Sequence, residues 1–208
     1  MCEVEKANIL LVFLHRRYKE REGSKSPFRV LISTILSQRT RDEVTDIARE
    51  RLFSMYDTPQ KLADAPIWDI EDRIKSVGFY HTKAKRVKEV STILLKRYKG
   101  NVPNEINKLL SLPGVGRKTA NCVLVYGFGI PALAVDTHVH RLSNRLGLVL
   151  TQNPHDTEIE LSKIVPADEF GFLNSSMVRF GKEICKPLHP LCKICSIRNI
   201  CDRESRQS

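Results

Sequence analysis

Apolar residues along this chain recur at helical spacing rather than in strand alternation. After Ser26-Pro27, a cap followed by proline at the first helical position, Phe28, Leu31, Ile32, Ile35 and Leu36 fall on one helical face. Thr58-Pro59 repeats that device. Ala84, Val87, Ser91, Leu94, Leu95 and Tyr98 draw another stripe, which closes at Gly100 with Lys96, Arg97 and Lys99 in its last turn, where cations suit the helix dipole. Glu158 to Val165 and Glu169 to Ile184 read as two further helices. No segment sustains period-two alternation, and the one strand-like piece, Pro131-Ala132-Leu133-Ala134-Val135, reads as a buried linker. An all-α fold is expected, without internal repeat or low-complexity tract.

Composition narrows the class. The 208 residues, 41% hydrophobic and 28% charged, fit a packed core without disulfide support. The longest apolar run, Ile9 to Leu14, is six residues, against roughly 20 for a membrane-spanning helix. Glu3 and Glu5 precede that run and His15-Arg16-Arg17 follows it, the reverse of a secretory signal, so a cytoplasmic protein without a membrane partner is expected. Lys and Arg number 34 against 24 Asp and Glu, a net charge of +10 that favours a polyanionic partner, nucleic acid above all.

The cysteines carry more information than the charge. Cys185, Cys192, Cys195 and Cys201 are spaced C-x6-C-x2-C-x5-C, and such clustering in a reducing compartment points to a metal centre. A four-cysteine zinc site and a [4Fe–4S] cluster both suit thiolate ligands. The single C-x2-C, flanked by longer gaps, favours the cluster. Cys122, in the apolar run with Ala120, Val123 and Leu124, reads as a buried thiol.

Between Asn104 and Gly147 the residues suggest DNA chemistry. A short helix from Asn104 to Ser111 meets Leu112-Pro113-Gly114-Val115-Gly116, and Arg117-Lys118-Thr119-Ala120-Asn121 opens the next helix. Proline stops the first helix, the glycines allow positive φ and close approach, and the second helix's leading N–H groups suit a phosphate. An ordinary αα-turn also favours Pro and Gly; Arg117-Lys118 directly after the glycines favours the phosphate. Lys118 stands at the positive end of a helix dipole beside Arg117, both of which favour the neutral amine, a nucleophile able to form a Schiff base with the open sugar of an abasic site. Phosphate pairing is its simpler role. Asp136 precedes Thr137-His138-Val139-His140-Arg141-Leu142 as a helix N-cap, and could also support positive charge at C1′ as a base leaves. His138 and His140, two apart on different helix faces, read as ordinary polar or packed residues.

The sequence from Leu112 to Asn121, Val135-Asp136-Thr137-His138 with Arg141, and the four-cysteine spacing, in this order, resemble the endonuclease III family of helix–hairpin–helix DNA glycosylases. The resemblance spans about Phe28 to Cys201. It implies a six-helix barrel lobe over 20–130, with the helix–hairpin–helix at 104–128. It implies a second helical lobe of 1–19 plus 131–208, carrying a [4Fe–4S] cluster on a loop over 185–201, with the active site in the cleft between lobes. Lys118 matches the family's Schiff-base lysine and Asp136 its catalytic aspartate; Cys185, Cys192, Cys195 and Cys201 match its cluster ligands. The expected activity is excision of oxidised pyrimidines from double-stranded DNA followed by β-elimination at the abasic site, by a monomer. Mismatch thymine or uracil excision, and a non-catalytic DNA-binding iron–sulfur protein, are the alternatives. Leu112, Gly114, Val115, Gly116 and Arg117 would contact DNA, and Gln38 or Arg39, with Phe79, would fill the emptied stack; a core contact is the other reading of Phe79. Lys83, Lys85 and Arg86, with Lys186, Lys193 and Arg198 of the cysteine loop, are expected to face one duplex.

Overall fold

The computed structural model describes residues 1–19 and 26–202, and among them there is no strand. The lobe boundary expected at residue 20 lies outside the described residues. The helices are α1 (Glu3–Arg17), α2 (Pro27–Ser37), α3 (Asp42–Phe53), α4 (Pro59–Asp64), α5 (Ile67–Ile74), α6 (Tyr80–Tyr98), α7 (Ile106–Leu110), α8 (Arg117–Cys122), α9 (Thr137–Leu146), α10 (Pro154–Ile164) and α11 (Phe170–Glu183). No helix among the described residues is long and apolar enough to cross a membrane. The chain divides into two compact units, Ser24–Ile130 and Met1–Gly23 with Pro131–Ser208.

The first unit is organised around α2 and α6. Leu31, Ile32, Ile35 and Leu36 are fully buried, each favouring the fold by roughly 1.5–3 kcal/mol over an exposed position. Pro27 starts α2 as the sequence predicts, although the Ser26 hydroxyl makes no cap bond. At Thr58 the predicted cap is complete, its side chain accepting from the Lys61 N–H at 3.2 Å. The α6 stripe buries Ala84, Val87, Val90, Ser91 and Leu94, and the helix closes when the Gly100 N–H reaches the Leu94 carbonyl at 2.9 Å. After α8 the chain continues as a π-helical turn, Val123–Phe128, which brings Gly127 onto Pro27 of α2. A Cβ at Gly127 would lie 2.9 Å from the Pro27 Cα, so the two backbones meet at a distance only glycine permits.

In the second unit Leu10 and Leu14 of α1, Val139 and Leu142 of α9, Leu161 of α10 and Leu173, Met177 and Phe180 of α11 share one core. Phe13 meets Phe180 edge-on with ring centroids 5.3 Å apart. Residues 131–135 run as a linker without regular structure; Leu133, Ala134 and Val135 are buried, and the Asn174 amide donates to the Ala134 carbonyl. The helix expected from Glu158 starts earlier, at Pro154, because the Asn153 side chain caps it by accepting from the Asp156 N–H at 3.0 Å.

Candidate functional site

Residues 112–116 turn the chain from α7 into α8. Leu112 and Val115 are buried, and the Val115 N–H closes the turn on the Leu112 carbonyl at 3.2 Å. Their side chains pin the hairpin to the core, so what they can present to a ligand is backbone. Gly114 has φ of 75°, and a Cβ there would stand 2.8 Å from Arg86 Cδ. The positive φ favours glycine, and a side chain there would also have to displace Arg86. Gly116 precedes α8 in an extended conformation; Arg117 is exposed and Lys118 half-buried in the first helical turn. Leading N–H groups without intrahelical acceptors, at the positive end of the dipole and beside a cation, suit a phosphate.

Two more turns of this unit carry predicted contacts. The Gln38 amide donates to the Gly114 carbonyl at 2.9 Å and reaches Thr119 Oγ1 at 3.5 Å, so this side chain is folded onto the hairpin. Arg39 is exposed with φ of 52°. Phe79, at φ of 59°, is 65% exposed, which overturns its reading as a core contact. Both residues adopt the left-handed conformation that costs an L-residue about 1–2 kcal/mol.

The expected basic face of Lys83, Lys85 and Arg86 needs correction. Lys83 is buried, donating to the carbonyls of Leu36 at 2.7 Å and Gln38 at 2.6 Å and to Thr40 Oγ1 at 2.9 Å. Burial, and secondarily Arg86, bring its ammonium down from 10.5 to about 8. Lys85 lines a groove with Ile67, Glu89, Ile93 and Lys96. Of the three, Arg86 is the one packed on the hairpin glycine. Helical rotation explains the division: successive residues point about 100° apart, so neighbours in sequence face different surroundings.

In the second unit Asp136 caps α9. Its Oδ1 accepts from the N–H groups of His138 at 2.8 Å and Val139 at 2.9 Å. The carboxylate is thereby fixed through one oxygen, with Oδ2 outside the cap bonds, and is half-buried. His138 accepts from Arg141, and His140 joins Thr157, Thr151 and Asn144 in a polar network, consistent with ordinary packing roles.

Cys185, Cys192, Cys195 and Cys201 line one cavity, walled by Leu142, Leu146, Phe180 and Ile184 and flanked by Arg145 and Arg198. Buried Ile197 and Ile200 seat the loop between the last two cysteines. Burial pushes the Cys195 thiol up, and Cys185, Cys201 and Cys192 add to the rise, so those three lie within electrostatic reach of Cys195. Among the described residues no group of three or more His, Cys, Asp or Glu closes tightly enough to hold a single metal ion. Four thiols arranged around an apolar cavity are a donor set that fits a polynuclear centre with a separate thiolate on each iron. Sequence reading missed what supports this loop. Arg141 donates to the carbonyls of Gly181 at 3.1 Å and Cys185 at 2.9 Å, and Arg145 to those of Lys186 at 2.7 Å and Pro187 at 2.6 Å. Their spacing of four, which puts both on one face of α9, was the available signal.

Residues 32–167 match the HhH-GPD superfamily of base excision DNA repair proteins. The chain is 55% identical to endonuclease III of Thermotoga maritima over 187 residues, 90% of this chain and 88% of that one. It is 40% identical to endonuclease III of Rickettsia conorii over 178 residues, 86% of this chain and 85% of the relative. A solved structure of a trapped endonuclease III–DNA covalent intermediate superposes with a TM-score of 0.90 at 33% identity, covering 100% of this chain and 99% of the other.

Proposed function

Because the chain belongs to the HhH-GPD superfamily of base excision DNA repair proteins, we propose that Lys118 is its Schiff-base nucleophile and Asp136 its catalytic carboxylate. The protein is a base-excision-repair DNA glycosylase that also cleaves abasic sites as a lyase, and DNA is its partner. The observation that carries the residue assignment is the place of Lys118, two residues beyond the hairpin glycine Gly116 and in the first turn of α8. An amine there sits beside donors suited to the phosphate backbone, which positions a duplex without reading its bases.

The reaction begins with phosphate neutralisation by the hairpin and its cations, so affinity falls steeply with salt. The target nucleotide leaves the stack, which costs a few kcal/mol and least for a base already poorly stacked. The Lys118 Nζ lone pair attacks C1′; the N-glycosidic bond breaks, and the base departs with its electron pair and takes the proton that the newly bonded Nζ gives up. Asp136 stabilises the positive charge that develops at C1′. The sugar ring opens to an iminium on Nζ. Loss of the C2′ proton then expels the 3′ phosphate by β-elimination, and water hydrolyses the imine to restore the amine. We assign the substrate class as oxidised pyrimidines in duplex DNA and the active species as a monomer. Arg39 and Phe79 fill the vacated space; their exposed side chains on left-handed turns support this, while Gln38 is occupied by the hairpin.

Cys185, Cys192, Cys195 and Cys201 would hold a [4Fe–4S] cluster, which when bound supplies a cross-link for the 185–201 loop. Lys186, Lys193 and Arg198, all exposed, present positive charge from that loop to the DNA backbone. The test of the central assignment is borohydride trapping on abasic duplex DNA. Lys118→Gln should abolish the covalent adduct while retaining binding, and a persistent adduct would remove Lys118 from the mechanism. A panel of oxidised and mismatched bases, read by single-turnover excision, tests the substrate class.

A further inference from the structure

We propose that Lys83 is a positioning residue that binds the two DNA-entering turns, residues 36–40 and 78–79, into one rigid body. This inference rests on the reading that those turns enter the duplex.

Lys83 is 2% exposed, so its ammonium is not a phosphate ligand on the surface. An ammonium has three protons to donate, and the three acceptors within reach all belong to one turn: Leu36 O, Gln38 O and Thr40 Oγ1. Thr40 Oγ1 also accepts the Gly78 N–H at 3.2 Å, which ties in the second turn. The Lys83 N–H itself donates to the Phe79 carbonyl at 3.0 Å in the first turn of α6. One side chain and one hydroxyl thus join segments about forty residues apart in sequence.

What they join is a pair of disfavoured conformations. Arg39 and Phe79 are both left-handed and both exposed, so their own side-chain packing does not hold them in place. Such conformations persist where the surrounding structure over-determines them. The bonds to the carbonyls of Leu36 and Gln38 bracket Arg39 from one side, and the bond to Thr40 from the other. Gln38 then carries the linkage to a third element by donating to the Gly114 carbonyl of the hairpin. Lys83 therefore acts on DNA only through Arg39, Phe79 and the hairpin.

Lys83→Met keeps the apolar stem and removes every side-chain donor. Thr40→Val removes only the shared hydroxyl at nearly constant volume and serves if the first variant does not fold. Duplex opening is read by the fluorescence rise of 2-aminopurine placed opposite an abasic site. Chemistry that needs no opening is read by borohydride trapping on a single-stranded abasic oligonucleotide. In both variants duplex affinity should fall about tenfold and the fluorescence rise should be lost, with single-strand trapping within about twofold of the unaltered protein. An unchanged fluorescence rise and duplex affinity in the folded variants would overturn the inference. So would a loss of single-strand trapping in step with duplex binding, since Lys83 would then merely maintain the fold. Absence of any adduct in the unaltered protein overturns the lyase reading instead, and the fluorescence arm still judges Lys83.

Discussion

Replacing Asp136 separates two roles that share one carboxylate. Oδ1 caps α9 through two bonds of 2.8 and 2.9 Å, whereas the proposed chemistry needs the negative charge. An asparagine side chain would retain a carbonyl oxygen at the same place, and asparagine caps as well as aspartate. The stability lost in Asp136→Asn is then the charge–dipole interaction, about 0.3–1 kcal/mol. Asp136→Ala also loses the cap, about 1–2 kcal/mol. For a chain of this size 1 kcal/mol moves the melting temperature by about 2–4 °C, so the asparagine variant should lie within about 4 °C of the unaltered protein and the alanine variant well below it. Single-turnover base release should fall in both by about a hundredfold or more, equivalent to about 2.7 kcal/mol. Thermal denaturation and excision kinetics on one damaged duplex test both arms. Excision by Asp136→Asn within about threefold of the unaltered rate would refute the catalytic role and leave Asp136 as a cap.

Other predictions address the hairpin, the buried lysine and the cysteine loop. Gly114→Ala combines a left-handed alanine with displacement of Arg86, at a cost of about 1–3 kcal/mol and weaker DNA binding. Gly116→Ala, where a Cβ meets nothing within 4 Å, should stay within about 1 kcal/mol in urea denaturation; equal losses would show that the hairpin does not discriminate the two positions. Lys83 titrates near 8 in the folded protein against an ordinary 10.5. Below pH 8 both folded and unfolded chains hold its proton, and between these values the unfolded chain binds more. Its contribution to unfolding free energy therefore rises with pH across that window. Lys83→Met should remove the rise, measured as the difference between the two proteins at pH 7.5 and 9.5, and a difference that runs the other way would contradict the effect of burial. The isolated protein should be brown and contain iron, with less of it after Cys195→Ser; a colourless protein containing zinc would exclude the cluster.

Helical periodicity made the all-α class legible, because burying one face of a helix imposes the spacing seen at Phe28 to Leu36 and Ala84 to Leu94. The hairpin and the Asp136 cap were legible for the same reason of locality: glycine at positive φ and a carboxylate two and three residues before the leading N–H groups of a helix are short-range requirements. The spacing of the four cysteines pointed to convergence on one centre, and folding does bring them to one cavity.

Tertiary structure decided the rest. A lysine between Thr82 and Ala84 reads as surface charge, and only the arrival of Leu36, Gln38 and Thr40 from another segment makes it a buried tether. Arg39 and Phe79 have no glycine to mark their left-handed turns, so their outward display depends on bonds made elsewhere. Whether Gln38 or Arg39 faces outward was settled by the Gly114 carbonyl, 76 positions away. Local propensity reports what a residue favours within a turn of itself; these groups take their roles from acceptors that folding brings to them.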